Sequence, residues 1–425
     1  MNNIAYLANS FPEAVEPYVW EEIRELRIRG TAVVACSFRR PRQVPADAAE
    51  IALETAYLFP INPWIALYAC WIFFFRLVFI AEPLWRAVRG PESMQQRLRT
   101  IAHTWLGAYL AAVLWKKQIA HIHIHHGYFS SWAGMVAARI LGATFSLTLH
   151  GSDLLVRADY LDCKLKHCKF CITVSEFNRR HVREHYLEAN SRKVLVHRLG
   201  VDLDFWAPGR NATPACCFSI VSVGRLHPVK NHEFLIRACY ELKNAGLKFH
   251  CMIAGDGYER DHLHDLINQM CLQNEIEFCG HVERAELRTL YSQADVVVLT
   301  SHSEGIPLTL MEAMAMERVV LAPAITAIPE LISDGQTGFL YQQHSLPDFL
   351  DRVLSIAGEP PLENLRQEAR RNIQLHFNRQ RNLHSWAEDF LRHLGGTSQE
   401  QESSHAHPVL QQVQLPVQRD RSISV

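Results

Sequence analysis

Short apolar runs alternate with amphipathic helical stretches along almost the whole chain. That rhythm predicts an α/β fold, with parallel strands covered on both faces by their connecting helices. One series of strands is expected at Ile4–Asn9, Thr31–Ser37, His121–His125, Thr144–His150, Phe170–Val174 and Val194–Arg198. A second is expected at Phe218–Gly224, Lys248–Ala254, Glu275–Gly280, Asp295–Thr300 and Arg318–Ala322. Between them Pro208–Ala215 is polar and broken by proline and glycine, as a linker would be. The 425 residues are enough for two domains, each with its own core. The division expected is 1–207 and 208–378, with a last helix over 379–394 crossing back to the first domain. The Gln-, Ser- and Pro-rich stretch 395–425 has little to bury and is expected to be a disordered tail.

Composition excludes some partners. The formal net charge is -1, far from the basic face that nucleic acid demands. Eleven cysteines, an odd number in a long chain, read as reduced thiols in a cytoplasmic protein. The first residues have no basic region before their apolar run and read as a strand, not a leader. An apolar insert over about 61–90 stands apart. Trp64–Ala81 is long enough for the shortest membrane span, but Arg76 sits inside it. Trp64, Trp71 and Trp85, with Arg86 and Arg89, favour helices lying in a membrane interface over a core helix or a span.

Three motifs carry chemistry. Ser301–Glu312 follows an expected strand, and Gly305 allows close backbone approach there. Pro307 suits a first helical position, so free N–H groups around Ile306, Pro307, Leu308 and Thr309 would form a diphosphate site at the positive end of a helix. Pro307 itself contributes no N–H. Glu304 could hold a sugar hydroxyl and Glu312 a ribose diol; either acid could equally be placed there for the helix dipole. In Val223–Asn231, Arg225 and Lys230 bring two cations to the carboxyl end of a strand. There they would stabilise a leaving nucleoside diphosphate, although the pair alone reads as solvated surface. In Leu147–Asp153, His150 ends a strand of the first domain, and Asp153 could orient it or bind an acceptor.

Together these blocks resemble the retaining glycosyltransferases of family four, which have the GT-B fold: two Rossmann-like doubly wound domains facing across a cleft. The resemblance rests on the seven-residue spacing between Glu304 and Glu312, on Gly224–Lys230, and on Ala254–Gly257 and Phe278–Val282. It also rests on His150-Gly151-x-Asp153, Thr173–Glu176 and Gly200–Asp202. It implies transfer of a sugar from a nucleoside-diphosphate donor to a saccharide or lipid-linked saccharide, with retention at the anomeric carbon. Arg225 and Lys230 would clamp the diphosphate. Glu304 and His150 would hold the donor sugar from opposite walls, Glu312 the ribose, and Gly280, His281 and Val282 the base. Asn9–Val19, with Ser10 and Glu16 on the acceptor side, is similar to the colanic-acid type of exopolysaccharide enzyme, although Pro17 departs from its pattern. No metal or other cofactor is expected, and the insert would hold the chain on the inner face of the cell membrane. An epimerase or hydrolase on the same scaffold, or a non-catalytic scaffold subunit, are the rival readings.

Two signals are set aside. Cys163, Cys168 and Cys171 with His167 lack a second cysteine pair and read as core. His121, His123 and His125 alternate with Ile122 and Ile124 as a strand should, and read as one strand face, not a metal site.

Overall fold

A computed structural model describes residues 3–156, 158–186, 193–209, 217–358 and 362–395. Most of the expected linker at Pro208–Ala215 and the tail beyond 395 lie outside the described residues. The apolar runs of the first half become β1 (Asn3–Ser10), β2 (Val33–Arg39), β3 (Ala56–Tyr57), β4 (Ile119–His125), β5 (Thr144–Leu149), β6 (Cys171–Thr173) and β7 (Val194–Val196). They form one parallel sheet in the order β3-β2-β1-β4-β5-β6-β7. The second half supplies β8 (Phe218–Val223), β9 (Phe249–Ala254), β10 (Ile276–Gly280), β11 (Val296–Val298), β12 (Val319–Pro323) and β13 (Phe339–Tyr341). Their order is β10-β9-β8-β11-β12-β13, also parallel. In both sheets the order reverses beside the first strand, which opens a crevice at the carboxyl edge.

Residue alternation places each side chain. Along β1, Ala5 and Leu7 pack on one face with Ile122, Ile124 and the helix Phe129–Leu141. Ile4, Tyr6 and Ala8 pack on the other with Trp20 and Ile23 of the helix Pro17–Ile28. The same face receives Trp386 and Phe390 from the helix Arg379–Gly395, which is thereby fixed to the first sheet. Each such buried side chain contributes about 1.5–3 kcal/mol. Cys163, Cys168 and Cys171 are buried free thiols in the first core.

The two carboxyl edges face each other. A Cβ built on Gly305 would meet the His150 carbonyl oxygen at 2.3 Å, so backbone from the two domains touches there. Glu330 accepts hydrogen bonds from the N–H groups of Glu176 and Phe177, at 3.0 and 2.6 Å, across the same divide. Arg379 bridges Glu21 at 2.6 Å and Asp202 at 2.7 Å where the chain returns. Asp202 also accepts from the N–H groups of Asp204 and Phe205.

Candidate active site

The second domain brings its motifs together by backbone contact. Gly224 donates to Ala254 at 3.0 Å, Leu226 to Asp256 at 3.0 Å and His302 to Val229 at 2.8 Å. Gly255 has φ +145°, and a Cβ there would meet the Gly224 carbonyl oxygen at 1.9 Å, so only glycine fits. Its N–H donates to Gly280 at 2.7 Å, which joins the end of β10 to the cluster. His281 is exposed beside it and Val282 half-buried.

Inside this cluster Lys230 Nζ donates to Glu304 Oε1 at 2.6 Å, and Ser301 Oγ donates to the same oxygen at 2.6 Å. Both charged side chains are mostly shielded from solvent. Arg225 is exposed and has no carboxylate partner among the described residues. The helix begins at Leu308, one residue later than expected, with Pro307 in extended conformation as its cap. Pro307 fixes the entry angle, and the first N–H groups of the helix have no intrahelical partners. Ile306 and Pro307 are buried; Leu308 and Thr309 are half-buried. Glu312 accepts from Tyr291 Oη at 3.2 Å. Burial raises its pKa to about 7, against the lowering effect of that hydrogen bond and of Arg284.

The first domain answers with a polar network. His126 Nε2 lies 2.9 Å from Glu16 Oε1. Burial opposes both charges, but the pair holds Glu16 down to about 2 and His126 up to about 10. Burial, with the charges of His126 and His125, pushes His150 well below the usual histidine range. His150 stacks on Tyr18 at 4.8 Å. Ser10, at the end of β1, is half-buried at the same edge.

Asp153 departs from its expected role as an acceptor contact. It is fully buried, and its oxygens accept from the N–H groups of Gly127, His150 and Gly151 at 2.8, 3.1 and 2.8 Å. Burial opposes its charge, but His126, His150 and the Gly151 N–H hold its pKa below the usual carboxylate range. It shapes the turn that presents His150.

Glu22, which the sequence did not single out, and His125, set aside above as part of a strand face, join this network. Glu22 Oε2 lies 2.9 Å from His125 Nε2 and also accepts from Tyr6 Oη. His125 Nδ1 lies 3.1 Å from His150 Nε2. A carboxylate only accepts, so His125 donates from Nε2. Its Nδ1 then shares a hydrogen bond with His150 Nε2. Glu22, His123 and His125 also bring candidate metal-ligand atoms within 4.8 Å of one another. Both ring nitrogens of His123, however, are taken by Ser146 and Thr148 hydroxyls, at 2.7 and 3.0 Å.

Residues 217–375 match the family described as glycosyl transferases group 1. The putative colanic acid biosynthesis glycosyltransferase WcaL of Escherichia coli K12 is 32% identical over 196 residues, 44% of this chain and 48% of its own length. The alpha-D-kanosaminyltransferase of Streptomyces kanamyceticus is 30% identical over 233 residues, 55% of each chain. The chain spans about half the length of the curated relatives it matches. Among solved structures, the sucrose-phosphate synthase of Thermosynechococcus elongatus superposes with a TM-score of 0.74 at 17% identity, over 93% of this chain and 100% of the other. Anabaena Alr3699/HepE in complex with UDP-glucose gives 0.69 at 17% identity, over 92% and 100%. The fold is therefore GT-B.

Proposed function

We propose that the chain is a glycosyltransferase that moves a sugar from a nucleoside-diphosphate donor to a saccharide or lipid-linked saccharide, with retention, in the synthesis of a cell-surface polysaccharide. The observation that carries the reading is the cluster of Lys230, Glu304, Arg225 and an open helix N-terminus directly across the crevice from His150. A diphosphate fits the cations and the N–H groups, and its charge grows as the glycosidic bond breaks. On entry it would draw Lys230 away from Glu304 and free that carboxylate for a sugar hydroxyl. Glu312 beside Tyr291 suits a ribose diol, and Gly280–Val282 the base. His150, held well below the usual histidine range, suits a sugar hydroxyl and not a phosphate. In this reading no metal or resident cofactor takes part, and a leaving phosphate oxygen removes the acceptor proton on the front face. The group 1 match and the WcaL relative support the transferase class and the polysaccharide setting. The place of work is the inner face of the cell membrane.

The test is a thermal shift with UDP, GDP and ADP and their sugar conjugates, against the double variant Arg225→Ala/Lys230→Ala. A nucleotide far above its Kd stabilises the fold by roughly 2–4 kcal/mol. One nucleotide should shift the parent and not the variant. No shift with a folded protein would sink the donor site and favour a scaffold subunit.

A further inference from the structure

The apolar insert folds into two helices of 13 residues, Pro63–Phe75 and Leu77–Arg89, which meet at an 86° bend. Each is about 20 Å long, against about 30 Å of bilayer hydrocarbon. Neither crosses alone, and the bend prevents one continuous span. Their inner sides are buried in the first domain through Ala69, Ile72, Ile80 and Ala87. The Asn62 N–H donates to Tyr109 Oη at 2.9 Å and anchors the first helix. Arg139 holds the second through Glu82 at 2.9 Å.

The outer side is left open. Trp64, Leu67, Trp71 and Phe74 follow one another at helical spacing along the exposed face, Trp64 at 77%. Val78, at 85%, and Trp85 continue it around the bend. A patch of this kind on a soluble face marks an interaction site.

Charge identifies the partner. Residues 61–117 contain seven Lys or Arg and two Asp or Glu, in a chain of net charge -1. Both acids are already paired, Glu82 with Arg139 and Glu92 with Arg86. Arg76, Arg89, Lys116 and Lys117 have no carboxylate partner among the described residues. Arg89 lies over the Trp85 ring at 3.7 Å, and Arg76 over Phe79 at 5.2 Å. Trp115, next to Lys116, meets Tyr68 edge-on. Exposed aromatics rimmed by unpaired cations suit the headgroup layer of an anionic leaflet.

The elbow is also fastened to the acceptor side. Arg86 donates to Glu92 at 2.8 Å and to Asp162 at 3.1 Å, and lies over Tyr160. Lys164, in the same segment, donates to the carbonyls of Gly127 and Asp159 at 2.7 and 2.6 Å, beside the Asp153 turn.

We propose that this elbow docks the chain, without crossing, on an anionic phospholipid leaflet, and that Arg86 ties the docked surface to the wall that presents His150. The docking stands independently of the transferase reading; only its value for a lipid-linked acceptor rests on that reading.

The test needs no sugar substrate. The full chain is floated with vesicles of phosphatidylcholine alone and of phosphatidylcholine mixed with phosphatidylglycerol. Binding to the anionic vesicles is expected, weakening as salt rises. Trp71→Glu/Phe74→Glu should abolish it while the melting temperature is kept, because both side chains are exposed. Lys116→Ser/Lys117→Ser should weaken it about fivefold per cation. Three outcomes would overturn the proposal. One is no binding to either vesicle. Another is chain that resists alkaline carbonate extraction, which a spanning segment would produce. The third is a dimer that Trp71→Glu/Phe74→Glu turns into monomer while vesicles are ignored, which would make the face a contact between copies.

Discussion

Gly305→Ala probes the point where the two domains touch. The added Cβ would stand 2.3 Å from the His150 carbonyl oxygen and 3.3 Å from its carbon. Ordinary contact requires the pair to separate by about 1 Å. The carbonyl cannot swing aside freely, because Asn178 Nδ2 donates to it at 3.0 Å. Relief comes from opening the cleft. Gly305 is not among the glycines of positive φ, so alanine is locally unstrained, and the chain entropy it removes on unfolding is worth about 0.4–1 kcal/mol. The clash is with backbone and its relief costs contact between the domains, so that gain is offset and the melting temperature should hold or fall slightly. A misplacement of about 1 Å between reacting groups costs about 10²-fold in rate, so transfer at saturating donor should fall by about that factor. The Lys230 and Glu312 side is untouched, so nucleoside diphosphate affinity should change far less. Kinetics of product formation beside calorimetric binding separates the two. Transfer within threefold of the parent would refute the idea that this approach of the domains is part of the working geometry.

Four further variants have expected outcomes. Lys230→Ala removes a charge-assisted contact worth about 1.5–3 kcal/mol, so calorimetry should show diphosphate affinity falling by at least tenfold. Glu312→Gln should raise the melting temperature above pH 7: burial raises this carboxyl to about 7, so its stabilising protonated form is lost as pH climbs from 4.5 through 7. The same variant should bind nucleotide about tenfold more weakly if the ribose contact is real. For Glu16 and His126, the depressed acid contributes above 4.5 and loses its contribution as pH falls through about 2; the raised histidine contributes fully below 6.5 and loses it as pH rises through about 10. Melting curves from pH 6.5 to 10 should therefore fall more steeply for the parent than for Glu16→Gln/His126→Asn, and equal slopes would remove this account of the pair. Glu22→Gln gives His125 an amide that can donate as well as accept, so the hydrogen-bond chain from Glu22 through His125 to His150 loses its fixed direction. Transfer should drop about tenfold with unchanged diphosphate affinity, and an unaltered rate would show that the chain through His125 is not used.

The legibility of this chain varies by element. Central strands such as β1 and β9 were readable as nearly unbroken apolar runs, and β4 because Ile122 and Ile124 alternate with buried histidines. β3 and β13, of two and three residues at the sheet edges, are too short to show a period. The motifs at Lys230, Glu304 and Glu312 stood out because glycine, proline and charge gather at strand ends there, and the fold brings Lys230 and Glu304 together. The sequence left Asp153 between orienting His150 and binding an acceptor, because its backbone N–H partners, which favour the first role, leave no trace in residue types. Glu22 was missed because it looks like the solvent face of an ordinary amphipathic helix; the alternating histidines opposite were the only signal that a buried partner was needed. The insert could be read as apolar but not as bent, since the turn at Arg76 depends on which side chains the first domain buries.

The most direct test of the central claim is product analysis. The chain is incubated with the nucleotide sugar that stabilises it and with a lipid-linked saccharide fraction from cells making surface polysaccharide. The account predicts an acceptor product heavier by one sugar residue, formed by the parent and lost in Glu304→Ala. Donor consumed without acceptor would contradict it in favour of a hydrolase or epimerase, and a donor that binds but is never consumed would contradict it in favour of a scaffold.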